Sequence, residues 1–129
     1  MKYYFSKTLQ TSFDQALHQV TEALKKEGFG VISTINVQQA MKDKLGVDFR
    51  PYIILGACNP PYAYKALSLE DKIGVFLPCN VIIQQRDDAT VEVAAVDPFA
   101  SMQAVENSAL AEIAGKVRHK LKNVIESLR

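Results

Sequence analysis

From Ser108 to the end of the chain, Leu110, Ile113, Val117, Leu121, Val124 and Leu128 recur at intervals of three and four residues. That spacing lines them along one stripe of a long amphipathic helix, and a helix apolar on one side only must lie against another layer. The segments that come before it supply the layer.

Lys2 to Leu9 alternates polar and apolar residues and is rich in aromatics, the pattern of a half-buried strand. Thr11 with Asp14 three positions on reads as a capping box, and Phe13, Ala16, Leu17, Val20, Ala23 and Leu24 follow at helical spacing. Lys25, Lys26 and Gly28 close that helix. A strand over Phe29 to Val37 leads to a short helix carrying Val37, Ala40, Met41 and Leu45 and ending near Gly46. Further on, Cys79 to Gln85 and Thr90 to Val96 flank the polar connection Arg86 to Ala89, as in an antiparallel hairpin. Asp97 and Pro98 break the second of these strands, and Phe99 to Glu106 has no decisive period. The expected class is α+β: a two-layer sandwich with one mainly antiparallel or mixed sheet of about five strands, covered by helices, in a single domain spanning 1–129.

Between these parts lies Leu55 to Ile83, which holds both cysteines and three of the five prolines. Tyr52 to Ala57 is a short apolar run closed by Cys58, Asn59, Pro60 and Pro61, so a buried strand ends there. Asn59 is placed to cap a helix starting at Pro60, with Tyr62, Ala63, Ala66 and Leu67 on its apolar side. Ser68 and Asp71 resemble a second capping box, and Gly74 ends that turn. Pro78 cannot donate to a sheet ladder and implies an edge or a bulge where the next strand begins.

Function classes narrow by charge and composition. Fifteen basic against fourteen acidic residues give a formal charge of +1, which offers no general attraction to nucleic acid or an anionic membrane. The amino-terminal residues show no long apolar segment, and nowhere do about 18 apolar residues run together. Two cysteines are too few for a secreted disulfide framework. A cytoplasmic protein without nucleic-acid or membrane partners is expected. No CxxC, HExxH or HxxxH spacing marks a metal site, and His18 and His119 fall beside the apolar stripes of their helices, as solvated residues do.

The candidate chemistry gathers at the strand-to-helix turn. Cys58 precedes the predicted cap, where free amides and the positive end of a helix lower a thiol pKa; the competing reading is a small buried hydrophobe. Cys79 lies 21 positions on, beside Pro78. A parallel crossover would place the two thiols at opposite sheet edges, and an antiparallel pairing would let them approach. Tyr62 and Lys65, with Tyr64, follow the cap and suggest a small pocket in which a phenol and an ammonium orient an anion. Asp97 ends a strand before Pro98, where an acid commonly caps or bends the chain. The remaining carboxylates, Glu70 with Asp71 and Asp87 with Asp88, read as caps and solvated turns.

Gly56-Ala57-Cys58-Asn59-Pro60, then Ala63, Ala66-Leu67, Ile73-Gly74, Leu77-Pro78-Cys79-Asn80-Val81 and Asp97-Pro98, form a pattern that resembles the domain of unknown function 302 family of small prokaryotic proteins. Nearly the whole chain is similar, including Glu27-Gly28-Phe29-Gly30-Val31 and the terminal helix. The resemblance implies an α/β sandwich and self-association, and it brings no catalytic mechanism with it. With no catalytic set in view, the leading expectation is a non-enzymatic homodimeric binding or assembly module with a small-molecule pocket near Cys58, its cofactor unknown. The rival is a thiol enzyme or redox sensor using Cys58, with Cys79 as the resolving thiol.

Overall fold

A computed structural model describes residues 2–129. Strand β1 (Tyr4–Leu9) leads into α1 (Phe13–Lys26), then β2 (Gly30–Asn36), α2 (Val37–Leu45) and β3 (Tyr52–Cys58). Helix α3 (Pro60–Leu69) and a 3₁₀ segment (Asp71–Phe76) come before β4 (Cys79–Gln85) and β5 (Val91–Val96). A short α4 (Pro98–Met102) and the long α5 (Ala109–Ser127) complete the order. The five strands form one open sheet in the order β1-β5-β4-β3-β2, antiparallel at every pairing. The α+β class and the long terminal helix expected from periodicity are both present. The region Phe99 to Glu106, which has no clear period, holds α4 and a turn.

Alternation along the strands decides which face is covered. Val91, Val93 and Ala95 of β5, Val81 and Ile83 of β4, and Leu55 and Ala57 of β3 point one way and are buried. Val20 and Leu24 of α1 and Leu121 and Val124 of α5 close over them. A second, smaller cluster, Ala66, Ile73 and Leu110, joins α3, the 3₁₀ segment and the start of α5. On the opposite face Gln84 is 8% exposed, accepting from Arg50 Nε at 2.9 Å and donating to Glu92 Oε1 at 2.8 Å.

Local details depart from the sequence reading where a neighbouring polar group competes better. Ser12, not Thr11, caps α1, accepting from Gln15 N at 3.2 Å, while Thr11 Oγ1 donates to Gln15 Oε1. Ser68 donates to the Tyr64 carbonyl at 2.8 Å inside α3, so no capping box forms with Asp71 and Glu70 occupies the cap. Gly74 lies inside the 3₁₀ segment, which runs on to Phe76. Pro78 stands one residue before β4, joined to Leu77 by a cis peptide, so it removes no ladder bond and β4 sits in the middle of the sheet, not at an edge. Gly28 and Gly46 take positive φ, +87° and +67°, as helix-ending glycines do. In the hairpin, Asp87 Oδ1 accepts from Ala89 N, Thr90 N and Thr90 Oγ1, and these bonds hold its carboxyl below the usual range. His18 and His119 are exposed.

Candidate functional site

The end of β3 is shaped by a glycine whose absent side chain makes room. A Cβ on Gly56 would fall inside contact distance of Ser33 Oγ and 2.7 Å from Pro78 Cγ. Only a bare backbone lets β2 and the start of β4 close on β3 here. Antiparallel pairing then sets Ala57 opposite Cys79, with Cys58 one step along. The chain turns at Asn59 into α3.

Asn59 occupies the cap position but makes no side-chain bond to α3. Its Nδ2 donates instead to the Glu27 carbonyl at 3.2 Å, at the end of α1, and the residue is 8% exposed. Pro60 and Pro61 have no N–H, and the Ala63 N–H bonds the Asn59 carbonyl, so of the first three helical positions only Tyr62 has an amide to offer. The helix start therefore presents fewer free donors than the sequence reading of Cys58 requires.

Behind this turn is a cavity of about 280 Å³. Cys58, Asn59, Tyr62 and Cys79 line it from the strand ends and the start of α3, Ala63 and Ala66 from the next turn, and Met102, Ile113 and Val117 from α4 and α5. No charged side chain is among its lining residues. The volume is roughly twice that of an apolar cavity known to take benzene, about 150 Å³. Both thiols are free and half-buried. Burial pushes the Cys79 thiol up to about 11, and the neighbouring Cys58 adds to the shift.

Of the six sequence candidates, four meet at this cavity: Cys58, Asn59, Tyr62 and Cys79. Lys65 does not. It lines a shallow groove beside Tyr64, Glu112 and Lys116 on the outer side of α3 and α5. Tyr62 lines both the cavity and this groove, so the Tyr62 and Lys65 side chains share the groove and not the cavity of Cys58. Asp97 stands apart as well: its carboxylate caps α4 through Phe99 N at 3.0 Å and accepts from Arg118 Nε at 3.1 Å. Arg118 lies over the rings of Phe5 and Phe99. Only the next residue, Pro98, reaches the cavity wall. Sequence reasoning missed Leu77, Pro98, Met102 and Ala114 as lining residues. Their one visible sign is the run of small residues, Ala63, Ala66 and Ala114, facing one another where bulk would be expected.

Among the described residues no three His, Cys, Asp or Glu side chains cluster, and no helix is long and apolar enough to cross a membrane. The profile of DUF302, a domain of unknown function, matches residues 5–128. A solved structure, the uncharacterized conserved protein DUF302 from Bacillus stearothermophilus, is 28% identical, covers 100% of both chains and superposes with a TM-score of 0.91. No curated protein matches the chain. With its profile match running through nearly every element of the sheet and its helices, the chain belongs to the DUF302 family.

Proposed function

We propose that the chain is a non-enzymatic binding module that holds a small, uncharged, largely apolar molecule in the cavity behind Cys58. The carrying observation is the wall itself: about 280 Å³ lined by alanines, prolines, aliphatic chains and two thiols, with no charged group. Burying an unpaired carboxylate or ammonium there would cost far more than apolar contact returns. Asn59 and Tyr62 are the polar side chains beside the thiols, enough to orient one carbonyl or hydroxyl. The test is equilibrium binding of a neutral fluorescent apolar probe to the wild type and to Ala63→Leu, which fills the cavity from α3. Saturable binding that weakens at least tenfold in the variant supports the reading. Equal binding by both, or none, overturns it.

The module is proposed to act as a homodimer in the cytoplasm. Edge strand β2, GVISTIN, has neither charge nor proline, and Ile32 and Ile35 are 65% and 50% exposed. Unblunted edges of this kind invite pairing with a second chain. Two free thiols suit a reducing compartment.

A thiol enzyme or redox sensor, with Cys58 attacking and Cys79 resolving, is the second reading. What favours it is the meeting of both thiols at one cavity. The raised pKa of Cys79 and the loss of amide donors at Pro60 and Pro61 count against fast thiol chemistry.

A further inference from the structure

Prolines at the first two positions of α3 leave the Asn59 side chain without its customary partner. A capping asparagine accepts through its oxygen from the second or third helical amide. Here the second position is Pro61, which has no N–H, and the third, Tyr62, receives no such bond. The side-chain amide works toward α1 instead, where Nδ2 donates to the Glu27 carbonyl at 3.2 Å. That bond fixes which end is which, because a flipped amide would set two acceptors against each other. Oδ1 is the end left over, and no donor among the described residues bonds it.

Asn59 is only 8% exposed, yet among the described residues no side-chain oxygen or nitrogen that is sealed off lacks a partner. Oδ1 therefore still borders open space, and the space that Asn59 lines is the cavity. We propose that Asn59 Oδ1 is the acceptor that selects the guest of this cavity, and that the guest is a neutral apolar alcohol or phenol whose hydroxyl donates to it. The inference rests on the reading of the cavity as a binding site and names the ligand class that site takes.

Other ligand chemistries meet this acceptor badly. A ketone or an ether has only lone pairs to set against Oδ1, and a hydrocarbon has nothing to offer, so each leaves a largely buried acceptor unpaired. An alkylammonium donates, but it would carry its charge into a wall with no charged residue. A hydroxyl donates and accepts at once, so the same group is also able to take a bond from the phenol of Tyr62 in that wall. The two thiols are weak donors and weak acceptors and discriminate little. In size, a cavity of about 280 Å³ suits a body of roughly ten carbons, since about 150 Å³ takes benzene.

The test is fluorescence titration of the full chain with 2-naphthol and with 2-methylnaphthalene, in which a methyl group of like size replaces the hydroxyl. Water holds the naphthol better, so apolar transfer alone favours the methyl compound. The wild type should nonetheless bind the naphthol at least as tightly. In Asn59→Ala the ratio of naphthol to methylnaphthalene affinity should fall at least tenfold, with circular dichroism showing that the fold is kept. Should that variant not fold, the wild type decides with 2-methoxynaphthalene, which has the oxygen without the donor and should bind at least tenfold more weakly than the naphthol. A methyl compound bound tenfold tighter than the naphthol by the wild type, an unchanged ratio in a folded Asn59→Ala, or an ether bound as tightly as the naphthol overturns the acceptor role. Binding of all three in order of their hydrophobicity removes that role and leaves the cavity reading standing, whereas binding of none removes both.

Discussion

Asn59 Nδ2 donates to the carbonyl of Glu27 across 32 positions of chain, binding the first residue before α3 to the end of α1. The neighbouring Gly28 has φ +87°, and a Cβ there would lie 3.2 Å from the same Nδ2. One amide thus anchors the cavity turn and would crowd a side chain at position 28. Replacing Asn59 by Ala removes the partner of the half-buried Glu27 carbonyl and should lower stability by about 1 kcal/mol in urea unfolding. Gly28→Ala should cost about 1–2 kcal/mol for its left-handed backbone. In the double variant the crowding disappears and the backbone cost remains, so the two losses should add to less than their sum.

Gly56 is expected to tolerate substitution worse than Gly30, where a Cβ meets nothing within 4 Å. Gly56→Ala forces Ser33 and Pro78 apart and should cost about 1–3 kcal/mol, as overpacking does. Ser33→Gly in the same chain should recover part of the loss, because one of the two obstacles is then gone. Thermal unfolding of the wild type, Gly30→Ala, Gly56→Ala and the Ser33→Gly/Gly56→Ala double variant reads the difference.

The Asp97 carboxylate serves two partners that mutation can separate. Asp97→Ser keeps an acceptor for Phe99 N and loses the ion pair with Arg118, while Asp97→Ala loses both. Since the Arg118 side chain is 39% exposed, solvent screens the pair, and the serine variant should lose less than about 1 kcal/mol. Losing the cap as well should bring the alanine variant to about 1–2 kcal/mol in urea unfolding. Equal losses in both would place the whole effect in the ion pair.

Cys79 links stability to pH. Its thiol rises from 9.0 to about 11 on folding, so the folded chain keeps a proton that the unfolded chain gives up. Its stability contribution is intact below about pH 9 and falls as pH climbs from 9 toward 11. Cys79→Ser should flatten that part of a urea-midpoint profile. In the folded wild type at pH 7.5, alkylation of Cys79 should be far slower than that of an unfolded control.

Edge pairing at β2 is the simplest route to the proposed dimer. Ile35→Lys puts a charge on an exposed residue that contacts its sheet neighbour Ile54 on one side only. Native mass spectrometry should show a dimer for the wild type and mainly monomer for the variant, with unchanged circular dichroism. A wild-type monomer, or a variant that stays dimeric, would move the interface elsewhere or remove it.

Much of the fold was legible because its signals are local. Periodicity alone marks α1 and α5, and Gly28 and Gly46 mark helix ends by the backbone they adopt. The hairpin between β4 and β5 is legible for the same reason, its polar turn being held by Asp87. The caps expected at Thr11 and Ser68 differ because the adjacent Ser12 takes the Gln15 amide while Thr11 bonds the Gln15 side chain, and because Ser68 donates back to the Tyr64 carbonyl inside α3. Asn59 was found as a special residue but given the wrong partner, since Glu27 is near it only in three dimensions.

By itself the sequence determined the elements other than α4, their order, the α+β class and the family, because each rests on spacing within a few residues or on a run of matched positions. Tertiary structure decided the rest. The strand order β1-β5-β4-β3-β2 makes β3 and β4 antiparallel neighbours, and that alone brings Cys58 and Cys79 to one wall. It also turned Lys65 and Asp97 away from the cavity and closed it with α4 and α5. Such placements depend on which distant surfaces pack together, and no local pattern encodes the distance between residues that meet only after folding.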